Sequence, residues 1–415
     1  MNFNFDIIEN QNKILRSHFF ESCLNENIHK PVYDIQGNYW TSRTRNEVIK
    51  LIMDRHKGFR CVKPITEKET YERNLFHLKS KSEQYYQFHS FIKNLRIWIY
   101  HFQLRKNLKL IDNELFYSKK NGIESFDIIT NKQQTLYYLD DDEEDSCICY
   151  ELKKAGNDFF VILGKSKSDV EIIKVDYEDY KEKKKKKYVN KVPKNEMVSR
   201  IQFEGEVYIN FLKCLSNERL IVTSNDKTFK IVDLNNSNKI IYDLLNECPI
   251  NHCDFNENRN LLITSGDSVS VQLFDIREKR EIKKLSEFYD YGTCIGFNPY
   301  DDNYFAAGGQ DLSCRIWDIR RLDQSMKVLY GQIDSIGTLQ WLNKQQICYG
   351  ENILFAYIYD IMDDKKQDLS YIGYLSGMEY QKQGKKIYLS IQDEKGGIIC
   401  YEALSGCHSL HNVNF

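Results

Sequence analysis

Proline is scarce, at five residues in 415, which argues against a long proline-rich linker anywhere in the chain. Histidine is also sparse, with nine residues spread thinly; the nearest pair, His408 and His411, lies in the tail. The chain has no Gly-x-Ser-x-Gly elbow, phosphate-binding glycine loop, His-Glu-x-x-His helix or dinucleotide fingerprint, and this argues against the common hydrolase, nucleotidyl and redox chemistries. No charge sign dominates, since 58 Lys and Arg stand against 60 Asp and Glu, so there is no general pull toward nucleic acid or anionic membrane. No apolar run approaches the ~20 residues of a membrane helix, and Met1 to Glu9 is too acidic for a signal peptide. These absences predict an intracellular, non-enzymatic protein with no cofactor, cytoplasmic unless the Lys183–Lys187 run acts as a nuclear import signal.

Cysteine is not scarce, at twelve residues, but it is scattered singly through apolar stretches such as those around Cys214, Cys294, Cys314, Cys348 and Cys400. There a thiol serves as a small hydrophobe, as expected in a reducing compartment. Cys147 and Cys149 form the one close pair, expected on the same face of a strand. With no Cys-x-x-Cys and no histidine nearby, the pair does not read as a zinc site.

What is present is a beat. Ile231-Val232-Asp233-Leu234, Leu273-Phe274-Asp275-Ile276, Ile316-Trp317-Asp318-Ile319, Ile358-Tyr359-Asp360-Ile361 and Cys400-Tyr401-Glu402-Ala403 repeat with their acidic positions 42, 43, 42 and 42 residues apart. A second ladder runs a few residues upstream: Asn225-Asp226, Gly266-Asp267, Gln310-Asp311, Glu351-Asn352 and Gln392-Asp393. These residue types suit the tight turn between a second and a third strand, because they accept left-handed or Asx-turn geometry. Two registers at one period are the signature of a WD40-type β-propeller, each repeat forming a four-stranded blade.

Counting backwards, Glu171 to Asp176 resembles the beat, with the basic insertion 181–191 as excess length. Trp98 to Arg105, Asn107 to Ile111, Glu114 to Ser118 and Ile123 to Ile129 read as four short strands. The expected fold is all-β: a seven-bladed propeller over 96–415, with blades near 97–131, 146–193, 206–246, 249–288, 291–330, 336–375 and 377 to the end. The last blade has three evident strands, and its fourth comes either from the tail Cys407 to Val413 or from the N-terminal segment.

Residues 1–95 are expected to form a partly helical extension. Trp40 to Lys57 and Ser82 to Leu95 are the helix candidates, because their apolar residues fall near helical spacing. They either pack on the propeller or act as an adaptor. Asp140 to Asp145 and Lys183 to Lys187 read as an acidic and a basic insertion leaving the ring.

The turns between second and third strands and the inter-blade loops of a propeller emerge on one face. Asp226, Asp267, Asp311, Glu351 and Asp393 from the turns, with Asp290 and Asp334 from the loops, would focus negative potential there and attract a basic peptide or a free amino terminus. Gln310 accompanies Asp311, while Tyr289 and Tyr291 offer apolar walls. The competing reading gives each turn carboxylate to its own backbone. Trp317 and Trp341 are expected in the core.

His101-Phe-Gln-Leu-Arg105 and Gly309-Gln-Asp-Leu-Ser-Cys-Arg-Ile-Trp-Asp-Ile-Arg320 resemble the distinctive motifs of a WD-repeat family of fungi, plants and protists. That family carries a domain of unknown function corresponding to about Gly292 to Arg320, and the resemblance runs from Tyr39-Trp40 to about Glu402. One fungal member is a substrate receptor of the GID/CTLH ubiquitin ligase, selecting proteins by their N-terminal residue. The resemblance implies such a role, with protein or peptide clients and CTLH-type subunits as partners. A general scaffold for a multiprotein complex unrelated to ubiquitin is the alternative.

Overall fold

The computed structural model describes 32–33, 39–40 and 85–404, apart from 94, 96, 98–106, 120–121, 139–146, 156–157, 167–168, 177–178, 181–192, 206, 217, 236–237 and 393–395. The chain divides into two compact units, Met1–Lys79 and Ser80–Phe415. In the first, Val32–Tyr33 pairs antiparallel with Tyr39–Trp40. The helix candidate Trp40 to Lys57 lies outside the described residues beyond Trp40, as do the two charged insertions, the His101–Arg105 motif and the tail after Leu404.

The second unit is built from short strands rich in β-branched and aromatic residues, separated by turns of Asp, Asn, Gly and Lys. Among the described residues, five sheets have four antiparallel strands each: 108–138, 147–202, 209–245, 250–285 and 292–330. In the third, for example, Ile209–Cys214, Arg219–Ser224, Thr228–Asp233 and Lys239–Leu245 lie side by side in chain order. The expected beats fall at the ends of third strands, such as Thr228–Asp233, Val271–Asp275 and Ser313–Asp318.

The expectation of seven separate blades is corrected here. Five stand alone; the remaining strands form one seven-stranded sheet, because Lys365–Gln381 runs unbroken for 17 residues. Its first part pairs with Ile353–Asp360 and its second with Lys386–Gln392. The edge of that sheet is Tyr86–Ile92, paired antiparallel with Gly397–Ala403. The N-terminal segment therefore supplies the missing strand.

Ser82 to Leu95 was expected to be helical, and its described part is this strand. Tyr86, Phe88 and Ile92 also fit a two-residue alternation, and pairing along a ready sheet edge outweighs weak helical spacing. The propeller unit thus begins before residue 96. Two other boundaries move for the same reason of hidden outer strands. The first sheet ends with Lys132–Tyr138, and the second takes Asn195–Gln202 from beyond the lysine insertion.

The sequence period reappears as blade-to-blade bonding. Lys109 Nζ donates to Glu151 at 2.7 Å, 42 residues on. Asn210 Nδ2 donates to the Ile250 carbonyl at 3.0 Å, 40 residues on. Phe297 N donates to Asp254 at 2.7 Å across 43 residues, and Trp341 Nε1 to the Gly296 carbonyl at 3.2 Å across 45. The first four-stranded sheet meets the seven-stranded sheet through Asn107 N, which donates to the Ser376 carbonyl at 3.0 Å. Gly377 permits that approach, since a Cβ there would stand 2.7 Å from Leu108 N.

The apolar core lies between neighbouring sheets. Trp317 (0% exposed) stacks on Phe305 at 5.2 Å, and Trp341 (2%) packs with Ile347, Tyr349 and Tyr357. Both tryptophans are core, as expected.

A β-bulge recurs near the start of inner strands, at Ile209/Phe211, Ile250/His252, Gly292/Cys294 and Ile336/Thr338. The bulge at Cys147/Cys149 corrects the reading of that pair. The extra residue turns the strand. Cys147 joins the core with Phe116 and Phe159, whereas Cys149 packs beside Ile162 and Ile209.

Candidate protein-interaction face

Two of the turns between second and third strands are built from one local device. Asp226 accepts from Thr228 N at 2.8 Å and Thr228 Oγ1 at 2.7 Å, around a left-handed Lys227 (φ 70°). Asp311 repeats it with Ser313 N at 3.0 Å and Ser313 Oγ at 2.6 Å, around Leu312 (φ 65°). A left-handed residue with a Cβ costs about 1–2 kcal/mol, which the carboxylate bonds offset. Partial burial pushes the Asp226 pKa up, but the bonds from Ser224 and Thr228 and the charge of Lys230 outweigh it and hold the group below its ordinary value.

These turns are stitched to the loops entering the same sheets. Asn225 N donates to Tyr208 O at 3.1 Å, Asp267 N to Pro249 O at 3.0 Å, Gln310 N to Tyr291 O at 2.9 Å, and Asn352 N to Ser335 O at 3.0 Å. Turns and inter-blade loops therefore share one end of the sheets. Asp393 lies outside the described residues.

The carboxylates at this end do not form a ring of free charges. Asp311 also accepts from Tyr289 N at 3.0 Å and pairs with buried Arg315 at 3.4 Å. Arg315 lies 3.7 Å from Glu287, which accepts from Trp317 Nε1 at 2.9 Å. Asp311 thus anchors a polar chain running into the core. Glu351 is completely buried (0% exposed). It accepts from the backbone of Gln332, from Ile333 N and Asp334 N at 3.1 Å each, and from the Tyr357 hydroxyl. Burial pushes its pKa up to about 7, against those hydrogen bonds. Asp334 accepts from Ser335 N at 2.7 Å. Asp267 is exposed and accepts from Asn251 Nδ2 at 2.8 Å; half-buried Asp290 accepts from Tyr291 N at 2.8 Å.

What this end displays instead is apolar. Tyr289 is 88% exposed although its N–H is fixed on Asp311. Tyr208, Leu245, Val269 and Tyr330 are also exposed. Each sits at a stitched position: Tyr208 N on Asn225 Oδ1 at 2.7 Å, Val269 O accepting from Phe288 N at 3.2 Å, Leu245 and Tyr330 one residue before Asn246 and Gly331, whose N–H groups bond to Lys227 and Leu312. Composition did not single out this set, apart from Tyr289. The signal for the rest was an apolar residue beside a turn or loop where a polar one would do.

The strand order and the repeating turns together define a β-propeller of WD40 type. Residues 293–318, within the fifth four-stranded sheet, match the WD domain, G-beta repeat model. The chain is similar to histone acetyltransferase type B subunit 2 of Candida glabrata, at 30% identity over 118 residues, 28% of each chain. The Kluyveromyces lactis protein of that name is 27% identical over 126 residues, 29% of this chain and 30% of the other. The E3 ubiquitin-protein ligase COP1 of Arabidopsis thaliana is 19% identical over 105 residues, 25% of this chain and 15% of that protein. The match thus spans less than a third of the length of these curated relatives. Among solved structures, a chain of the crystal structure of the Mitotic Checkpoint Complex shares the fold, with TM-score 0.63 and 13% identity over 82% of this chain and 97% of that one. No helix among the described residues is long and apolar enough to cross a membrane.

Proposed function

We propose that this protein is the substrate-recognition subunit of a GID/CTLH-like ubiquitin ligase, holding the N-terminal segment of a client on its loop face and transferring nothing itself. The observation that carries the peptide-holding part is Tyr289, an exposed ring on a backbone pinned by Asp311, followed directly by Asp290. An exposed aromatic ring on a held backbone, beside a half-buried carboxylate, suits a free amino terminus and its first side chain. Asp267 supplies a second carboxylate, and Tyr208, Leu245, Val269 and Tyr330 extend the apolar surface.

The seven-stranded sheet is taken as two blades sharing one long strand, which makes the ring seven-bladed. Its pairing supports this, since the partner of Lys365–Gln381 changes between Ser370 and Tyr374. The ligase part rests on the family resemblance and on the likeness to a relative named as a ubiquitin ligase. The two relatives named as histone acetyltransferase subunits favour a second reading, a scaffold in a protein-modifying complex unrelated to ubiquitin. Either role belongs in the cytoplasm or the nucleus.

The test uses affinity purification from native cells, wild type against Tyr289→Ser with Asp290→Asn, followed by peptide binding with free and acetylated N-termini. Recovery of RING and CTLH-type subunits with both proteins, and of clients with wild type alone, supports the receptor. A stable complex without ligase subunits, or binding indifferent to N-terminal acetylation, overturns it in favour of the scaffold.

A further inference from the structure

The outer strand of the third four-stranded sheet, Lys239–Leu245, lies at a sheet edge and carries no strand on its far side among the described residues. The pairing shows which of its backbone groups are spare. Asn246 N donates to Lys227 O at 2.6 Å, and the register runs Thr228↔Leu245, Phe229↔Leu244, Lys230↔Asp243. In an antiparallel ladder hydrogen-bonded pairs alternate with non-bonded ones. Leu244 and Tyr242 therefore face the sheet, while the N–H and C=O of Asp243 and Leu245 point outward.

Edge strands are commonly blunted by charge. The equivalent edge of the next sheet, Arg280–Leu285, has four charged residues in six. Lys239–Leu245 has Lys239 and Asp243 around an apolar series in which Ile240 and Leu245 are exposed. A cavity of about 220 Å³ runs along it, lined by Ile240, Ile241, Tyr242, Asp243, Leu244 and, from the neighbouring sheet, Lys279.

The carboxylates around that groove have cationic or amide neighbours. Asp243 lies 3.6 Å from Lys230, which also pairs with Asp226 at 3.3 Å. On the facing sheet Asp275 is taken by Arg277 at 3.2 Å, Glu278 by Arg280 at 2.5 Å, and Glu281 by Gln272 Nε2 at 3.0 Å. Lys279 makes no ion pair among the described residues; its Nζ lies 6.0 Å from the centre of the Tyr242 ring.

We propose that the edge of Lys239–Leu245 is a strand-addition site for an extended segment of another protein bearing a carboxylate side chain opposite Lys279. The added strand would bond to the outward amides and carbonyls of Asp243 and Leu245, giving affinity, and the ammonium in the groove would give the acidic preference. This site runs along an outer strand and reaches the loop face only at Leu245, and it does not depend on the receptor reading.

The experiment selects displayed random peptides of about eight residues on the full chain and assays the enriched ones singly. The expected result is enrichment of β-branched sequences containing Asp or Glu, with binding reduced about tenfold or more by Lys279→Glu and retained by Tyr289→Ser. On peptide binding, amide exchange should slow at Asp243 and Leu245, and Asp243→Pro should abolish binding while sparing the inner ladder. If Asp243→Pro does not fold, the exchange measurement on wild type stands in its place. Enrichment of peptides without acidic residues, indifference to Lys279→Glu, no slowing at the two amides, or occupation of this edge by a second copy of the chain would overturn the proposal.

Discussion

Gln367 grips the backbone of Tyr86, 281 residues earlier, from both sides: its Oε1 accepts from Tyr86 N at 2.9 Å and its Nε2 donates to Tyr86 O at 2.6 Å. The same Oε1 accepts from Tyr85 N at 2.6 Å, and Gln367 is 3% exposed. The closing strand is thus held by a side chain as well as by its ladder with Gly397–Ala403.

Gln367→Ala leaves two N–H groups and a carbonyl without these partners, at a cost of about 2–4 kcal/mol. Thermal unfolding should show a lower midpoint, and limited proteolysis should cut earlier near Tyr85 than in wild type. An unchanged cleavage pattern would mean the ladder alone holds the strand.

Lys109 and Glu151 form a buried bidentate pair, at 2.7 and 2.8 Å, across the first and second sheets. Removing either partner leaves a largely buried charge unpaired, so Lys109→Met or Glu151→Leu alone should cost about 3–5 kcal/mol. The double replacement should lose much less than the sum. Denaturant midpoints of the four proteins test this.

Glu351 predicts a pH dependence. Its folded-state pKa is pushed up to about 7 by burial, from an ordinary 4.5. Between those values the folded protein keeps a proton that the unfolded chain has released, so stability from this group is full below about 4.5 and falls as pH rises toward 7. Glu351→Gln should remove that part of the slope, read as the difference between the two proteins' stability profiles over that range. Glu351→Ala should destabilise at every pH, by about 2–4 kcal/mol, because three loop N–H groups lose their acceptor.

Asp311 and Tyr289 should separate structure from recognition. Asp311→Ala uncouples buried Arg315 and releases the turn, lowering stability by about 2–4 kcal/mol. Tyr289→Ser alters an exposed ring and should change stability by less than about 0.5 kcal/mol while weakening client binding. Calorimetry and peptide titration on the two variants check it.

The sequence by itself determined the repeat. Turn chemistry at Asn225-Asp226 and Gln310-Asp311 and the hydrophobic beats at Asp233, Asp275 and Asp318 are local features, written within a few residues of where they act, so the strands and the propeller class were legible from them. The common loop end of Asp226, Asp267, Asp311 and Glu351 followed from the same alternation of strands and turns. Only the tertiary structure decided what lies far apart in the chain. It showed that Tyr86–Ile92 finishes a sheet formed some 300 residues later, because an open edge outweighs weak helical spacing. It merged the last strands through Lys365–Gln381 and sent Cys149 to a different core from Cys147 by one bulge. It also decided the fate of the carboxylates. Whether an acidic residue meets solvent or a backbone N–H depends on neighbours folded against it, and Asp311 and Glu351 meet the backbone.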